Sequence, residues 1–141
     1  MKKDGCPYCQ KGEFLAKFGV LAFETETSEV IVFKEQKHKG RAIVAYKKDH
    51  VAEITDLSDA ERNAFMKDVS DVAKAIQKAY NPDRINYGAY GDSLGHLHIH
   101  LVPKWKDGYE WGGTFLMNTN EYASDEELEE VIKTLKANYK A

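Results

Sequence analysis

The chain has 141 residues, of which 43% are hydrophobic and 30% charged, and its formal net charge is -3. That length fits one domain, 1–141, with its own core, and the acidic balance argues against a general nucleic-acid binder. No apolar run approaches membrane-spanning length, and Met1-Lys2-Lys3-Asp4-Gly5-Cys6-Pro7 lacks the apolar stretch of a secretion signal. A soluble cytoplasmic protein without membrane or nucleic-acid partners is expected, its two cysteines present as thiols.

Cys6-Pro7-Tyr8-Cys9 comes first. Alone it fits half a zinc site, a redox pair or an incidental spacing. The redox reading needs a strand before the motif and a long helix directly after it. Zinc needs two more ligands, for which the chain offers His38, His50, His96, His98 and His100.

Three β-favouring runs follow: Val20 to Phe23, Val30 to Phe33 and Ala42 to Tyr46. The last two are joined by Glu35-Gln36-Lys37-His38-Lys39-Gly40, a plausible hairpin loop. Lys34, Lys37, Lys39, Arg41, Lys47 and Lys48 concentrate positive charge here. Such a patch attracts phosphates or, in the blander reading, guards a solvated hairpin edge against aggregation.

Ser58-Asp59-Ala60-Glu61 is a capping box, and Phe65, Val69, Val72 and Ile76 recur behind it at helical spacing. A long helix over about 59–80 is predicted, stopped by Asn81-Pro82. Ile85 to Gly91 reads as a strand running into a glycine-containing loop. Beyond Pro103 lies a polar and aromatic loop with Trp105 and Trp111, then a second capping box from Ser124 to Glu127. Leu128, Val131, Ile132 and Leu135 give the last helix its apolar face.

The stretch Gly95-His96-Leu97-His98-Ile99-His100-Leu101 carries the chemistry. In a strand its three histidines share one face and its leucines and isoleucine the other. At about 3.3 Å per residue the outer two stand roughly 13 Å apart, too far to converge easily on one metal. Incidental buried histidines, a metal site using two of them with remote ligands, and nucleophilic catalysis on phosphorus are the competing readings. A neutral imidazole offers a lone pair near pH 7 and leaves readily from a phosphorylated intermediate.

The alternating histidines followed by further hydrophobic residues resemble the signature of the histidine-triad (HIT) family. Asn86 through Trp105 is similar to its signature segment, and Val30 to His50 to its nucleotide-binding hairpin. The resemblance implies an α+β fold, with an antiparallel sheet of about five strands, one long helix and a C-terminal helix. It also implies a homodimer. Members carrying CxxC hold structural zinc, which implies Cys6, Cys9, His50 and His96 as ligands here. His98 is implied as the nucleophile, His100 as the group that polarises the phosphate, and Ser93 as the contact to the bridging or leaving-group atom. Asn86 matches an amide near the phosphate, and Glu35 lies near the acidic position that binds ribose.

Two departures stand out. Asp92 replaces the usual glutamine before Ser93, placing a carboxylate beside the phosphate path, and Arg41 replaces a histidine, adding a permanent forked cation. By this resemblance the chain hydrolyses a nucleoside phosphoramidate or dinucleoside polyphosphate through a nucleotidyl-histidine, with no catalytic metal or organic cofactor. A nucleotidyltransferase, a nucleotide-binding adaptor and a metalloenzyme using the triad as ligands are the alternatives.

Overall fold

In chain order, the computed structural model, which describes residues 2–117 and 119–140, has these elements. They are α1 (Pro7–Gln10), α2 (Gly12–Ala16), β1 (Gly19–Glu24), β2 (Ser28–Phe33), β3 (Ala42–Tyr46), α3 (Asp59–Tyr80), β4 (Arg84–Gly88), β5 (His98–Lys104) and α4 (Asp125–Asn138). A single 3-10 turn at Ile54–Asp56 precedes α3. The five strands form one antiparallel sheet in the order β1-β2-β3-β5-β4.

The long helix runs as its capping box requires. The Ser58 side chain accepts a bond from the Glu61 amide at one end, and Asn81 closes the other in the left-handed conformation with φ of 47°. Phe65, Val69, Val72 and Ile76 are buried on its inner face. They pack with Leu128, Val131 and Leu135 of α4 against Val30, Val32, Val44 and Leu101 of the sheet. Each such side chain contributes about 1.5–3 kcal/mol by leaving water. Asp68 interrupts this stripe and is buried too. Its Oδ2 accepts from Thr27 N (2.9 Å), Thr27 Oγ1 (2.6 Å) and Thr25 Oγ1 (2.8 Å), tying α3 to the β1–β2 turn.

Ile31, Phe33, Ile43 and Ala45 form the second face, packed against Cys6, Tyr8, Cys9 and Leu15. The N-terminal segment therefore covers the sheet face opposite the long helix. Cover on both sides explains why every residue of β2, β3 and β5 is buried.

Two readings of the hairpin change. The β2–β3 hairpin is interior, since β1 and β4 are the sheet edges, so its lysines guard no edge. Nor do they form one phosphate-attracting patch: Lys37 pairs with Glu121, Lys47 with Glu24 and Lys48 with Glu61, while Lys34 donates to the Ala16 carbonyl. The CxxC motif itself starts at the N-cap of α1 and ends within it, and the short α2 follows, not the long helix the redox reading needs. No helix among the described residues is long and apolar enough to cross a membrane.

Candidate active site and metal centre

The histidine strand divides its three imidazoles between two tasks. β5 begins at His98, and His96 lies just before it. His98 stands opposite Ala45, while His100 stands between Ile43 of β3 and Gly88 of β4. Both rings therefore face the N-terminal segment. Rather than standing free, they are buried, at 5% and 3% exposure. Tyr8, between the two cysteines, lays its ring over His98 with centroids 4.9 Å apart. Phe33, Tyr90 and Phe115 surround His100. Gly88 makes room for this packing, because a Cβ there would stand 2.5 Å from the Tyr90 ring.

His98 Nδ1 donates to the His96 carbonyl at 2.6 Å. A carbonyl only accepts, so Nδ1 carries the proton and Nε2 keeps its lone pair. Burial pushes the His98 pKa down, against the opposing pull of that carbonyl. Burial, aided by His98 and Arg41, pushes His100 down to about 3. Both rings are neutral near pH 7, and His100 Nδ1 has no hydrogen-bond partner.

These histidines line a cavity of about 440 Å³ whose wall is mostly apolar, including Phe18, Phe33, Ile43 and Met117. The loop after β4 brings Asp92, Ser93 and Leu94 to the same cavity. The cavity thus sets neutral imidazoles in a mostly apolar wall.

Glu35, Arg41 and Asn86 lie off this cavity. Arg41 is fully buried between Phe33 and Phe115, 4.2 and 4.9 Å from their ring centroids. Its Nη1 and Nη2 donate to the carbonyls of Leu116 (3.1 Å) and Met117 (2.8 Å), and Glu35 lies 3.6 Å away, also buried. A desolvated guanidinium needs such acceptors. Here they hold in place the segment that carries Met117 to the cavity. Asn86 faces a separate hollow with Tyr87, Tyr90 and Phe115.

Sequence reasoning missed Tyr8, Phe33, Phe115 and Met117 as neighbours of the histidines. For Phe33 a signal existed: strand alternation puts it on the same face as Ile31, hence beside the ladder. Met117 had none, since the carbonyl acceptors that fix it are invisible in a string of side chains. Tyr90 lines the cavity, whereas Trp105 Nε1 donates to the Asn81 carbonyl at 3.1 Å.

Beside the cavity, Cys6, Cys9, His50 and His96 bring one ligand atom each within 4.8 Å of one another. His96 Nδ1 lies 3.4 Å from Cys6 Sγ, 3.5 Å from Cys9 Sγ and 3.0 Å from His50 Nδ1. Cys9 Sγ lies 3.3 Å from His50 Nδ1. Tetrahedral zinc, with bonds of about 2.3 Å to sulfur and 2.0–2.1 Å to nitrogen, spaces its ligands roughly 3.3–3.8 Å apart. His96 Nε2 donates to the Tyr46 carbonyl at 2.7 Å, which leaves Nδ1 bare toward the cluster. The donor set and tautomer fit a tetrahedral metal ion, and three of these four distances match its ligand spacing, the His50–His96 pair standing closer at 3.0 Å.

The HIT-domain family model matches residues 19–107, from β1 to just beyond β5, and the chain belongs to the HIT (histidine triad) family. It is 27% identical over 137 residues to an uncharacterized HIT-like protein of Methanocaldococcus jannaschii, covering 93% of this chain and 98% of that one. The fold matches a histidine triad protein of Bradyrhizobium japonicum at a TM-score of 0.82 and 19% identity, over 91% and 96% of the two chains. A zinc-bound histidine triad family protein of Mycobacterium smegmatis matches at 0.63 and 18%, over 86% and 84%.

Proposed function

We propose that this chain is a nucleotide hydrolase acting at the α-phosphate of a nucleoside phosphoramidate or dinucleoside polyphosphate. One observation carries the reading: a neutral His98, fixed with Nδ1 on a carbonyl and Nε2 left for the cavity. His98 Nε2 attacks phosphorus, the bond to the leaving group breaks, and the leaving group departs with a proton. Water then cleaves the phosphorus–nitrogen bond, releasing nucleoside monophosphate and free His98. His100, 5.4 Å from His98 between ring centroids, contacts the phosphoryl group, and Ser93 the leaving-group atom. Phe18, Phe33 and Ile43 give an apolar wall suited to a base. Glu35 and Arg41 serve by shaping that wall instead of touching nucleotide, and Asn86 meets the substrate only at the margin of the site.

Cys6, Cys9, His50 and His96 hold structural zinc in this proposal, supported by their spacing and by the zinc-bound relative. When bound, zinc supplies a crosslink among the N-terminal segment, the residue after the hairpin and the start of the histidine strand. A homodimer, read by light scattering, belongs to the same proposal.

The test incubates purified protein with adenosine 5′-phosphoramidate and diadenosine tetraphosphate, beside His98→Ala. AMP release by the wild type alone supports the nucleophile. Equal behaviour of the two proteins removes the hydrolase reading. Transfer of the AMP group to an acceptor other than water would instead make the chain a transferase.

A further inference from the structure

The cavity that holds His98 has an unusual charge balance. Of its lining groups, His100 is held neutral by burial. The buried cations among the described residues, Arg41 and Lys104, are turned elsewhere. Arg41 donates to the carbonyls of Leu116 and Met117, and Lys104 Nζ donates to those of Glu110 (2.9 Å), Gly113 (2.6 Å) and Thr114 (3.3 Å). Among the described residues lining the cavity, Asp92 is the one side chain with a formal charge, and that charge is negative. Asp92 is exposed and has no hydrogen bond or ion pair among the described residues. It stands next to Ser93, on the loop that reaches the cavity from β4.

We infer that Asp92 is a specificity-determining residue that selects leaving groups bearing a positive charge. This inference rests on the hydrolase reading above and narrows its substrate class. A dinucleoside tetraphosphate attacked at its α-phosphorus releases a nucleoside triphosphate, which brings several negative charges to a wall with no cation to receive them and one carboxylate to repel them. An amine leaving group brings none. If it carries a second, protonated amine, it gains the Asp92 carboxylate as partner. The substrate class is therefore a nucleoside phosphoramidate of a cationic amine. In its turnover the α-phosphorus–nitrogen bond breaks as the His98 Nε2–phosphorus bond forms, and the leaving nitrogen takes up one proton. Water then supplies hydroxyl to phosphorus and a proton to solution, so the net reaction adds one water across the phosphorus–nitrogen bond. Asp92 takes no part in these bonds; it sets which leaving group is held beside Ser93.

The test compares three probes: adenosine phosphoramidates of a diamine and of an uncharged-tail monoamine of equal length, and diadenosine tetraphosphate. For the wild type, kcat/KM is highest for the diamine conjugate. In Asp92→Asn the diamine-to-monoamine ratio falls about fivefold, the scale of one solvent-exposed charge pair. The tetraphosphate rate rises relative to both, and added salt erodes the wild-type preference. Asp92→Glu retains the preference. If Asp92→Asn keeps the wild-type ratios while turnover still requires His98, the inference falls and the hydrolase reading stands. If no probe gives His98-dependent AMP, the hydrolase reading falls and this inference with it.

Discussion

Burial of His100 makes the fold sensitive to acid in a way that one substitution isolates. An unfolded imidazole titrates near about 6.5, and the folded ring is held down at about 3. Above the unfolded value both states are neutral and the full stability is present. Below it the unfolded chain takes a proton that the folded chain refuses, so stability falls by about 1.4 kcal/mol per pH unit until the folded ring also titrates. Between about pH 7.5 and pH 5.0 the loss from this ring is roughly 2 kcal/mol. Because pH 5.0 lies well above the folded value, the loss over that window is set by the unfolded imidazole. His100→Phe removes the proton site and places a ring among Phe33, Tyr90 and Phe115. Urea unfolding of both proteins at the two pH values, with chelator throughout so that metal release contributes to neither, yields the comparison. The wild type loses about 2 kcal/mol more than the variant. Losses that agree within about 0.5 kcal/mol would refute the reasoning, because a ring that stays solvated enough to protonate contributes no such slope.

Two further perturbations probe the frame of the site. Asp68→Ala leaves three donors of the β1–β2 turn, on Thr25 and Thr27, without their acceptor. It should destabilise the protein by about 3 kcal/mol in urea unfolding; a change below about 1 kcal/mol would mean that water replaces the carboxylate at little cost. Protein purified with zinc supplied should carry about one zinc per chain by atomic emission, as its four-ligand set requires. Chelation should then lower the melting temperature and shift the NMR signals of His98, since Tyr8, which packs on it, lies between Cys6 and Cys9. A chain that stays metal-free, or one whose His98 signals do not move, would separate the cluster from the cavity.

Both long helices were legible from local chemistry. Ser58 with Glu61 and Ser124 with Glu127 mark their starts, and an apolar stripe three and four residues apart marks their inner faces. Strand alternation likewise placed His98 and His100 on one face. The four candidate metal ligands came from family resemblance, and the structure brings all four together. Glu35, Arg41 and Asn86 were expected at the nucleotide and do not line the cavity that holds His98; sequence position along a hairpin does not say which acceptor a buried cation finds. Arg41 finds carbonyls 75 and 76 residues away.

The sequence by itself determined the periodic features: helix starts, strand parity, and the pairing of imidazoles with an apolar opposite face. These are written in residues one to four positions apart, where backbone geometry leaves few choices. The grouping of His96 with the cysteines, apart from His98 and His100, was already implied by the family resemblance; only the tertiary structure decided that His98 and His100 line a cavity and are buried and neutral. That division depends on the N-terminal segment crossing the sheet to meet a histidine 90 residues later. The ionisation of an imidazole follows from what covers it, and what covers it here is set by the path of the whole chain.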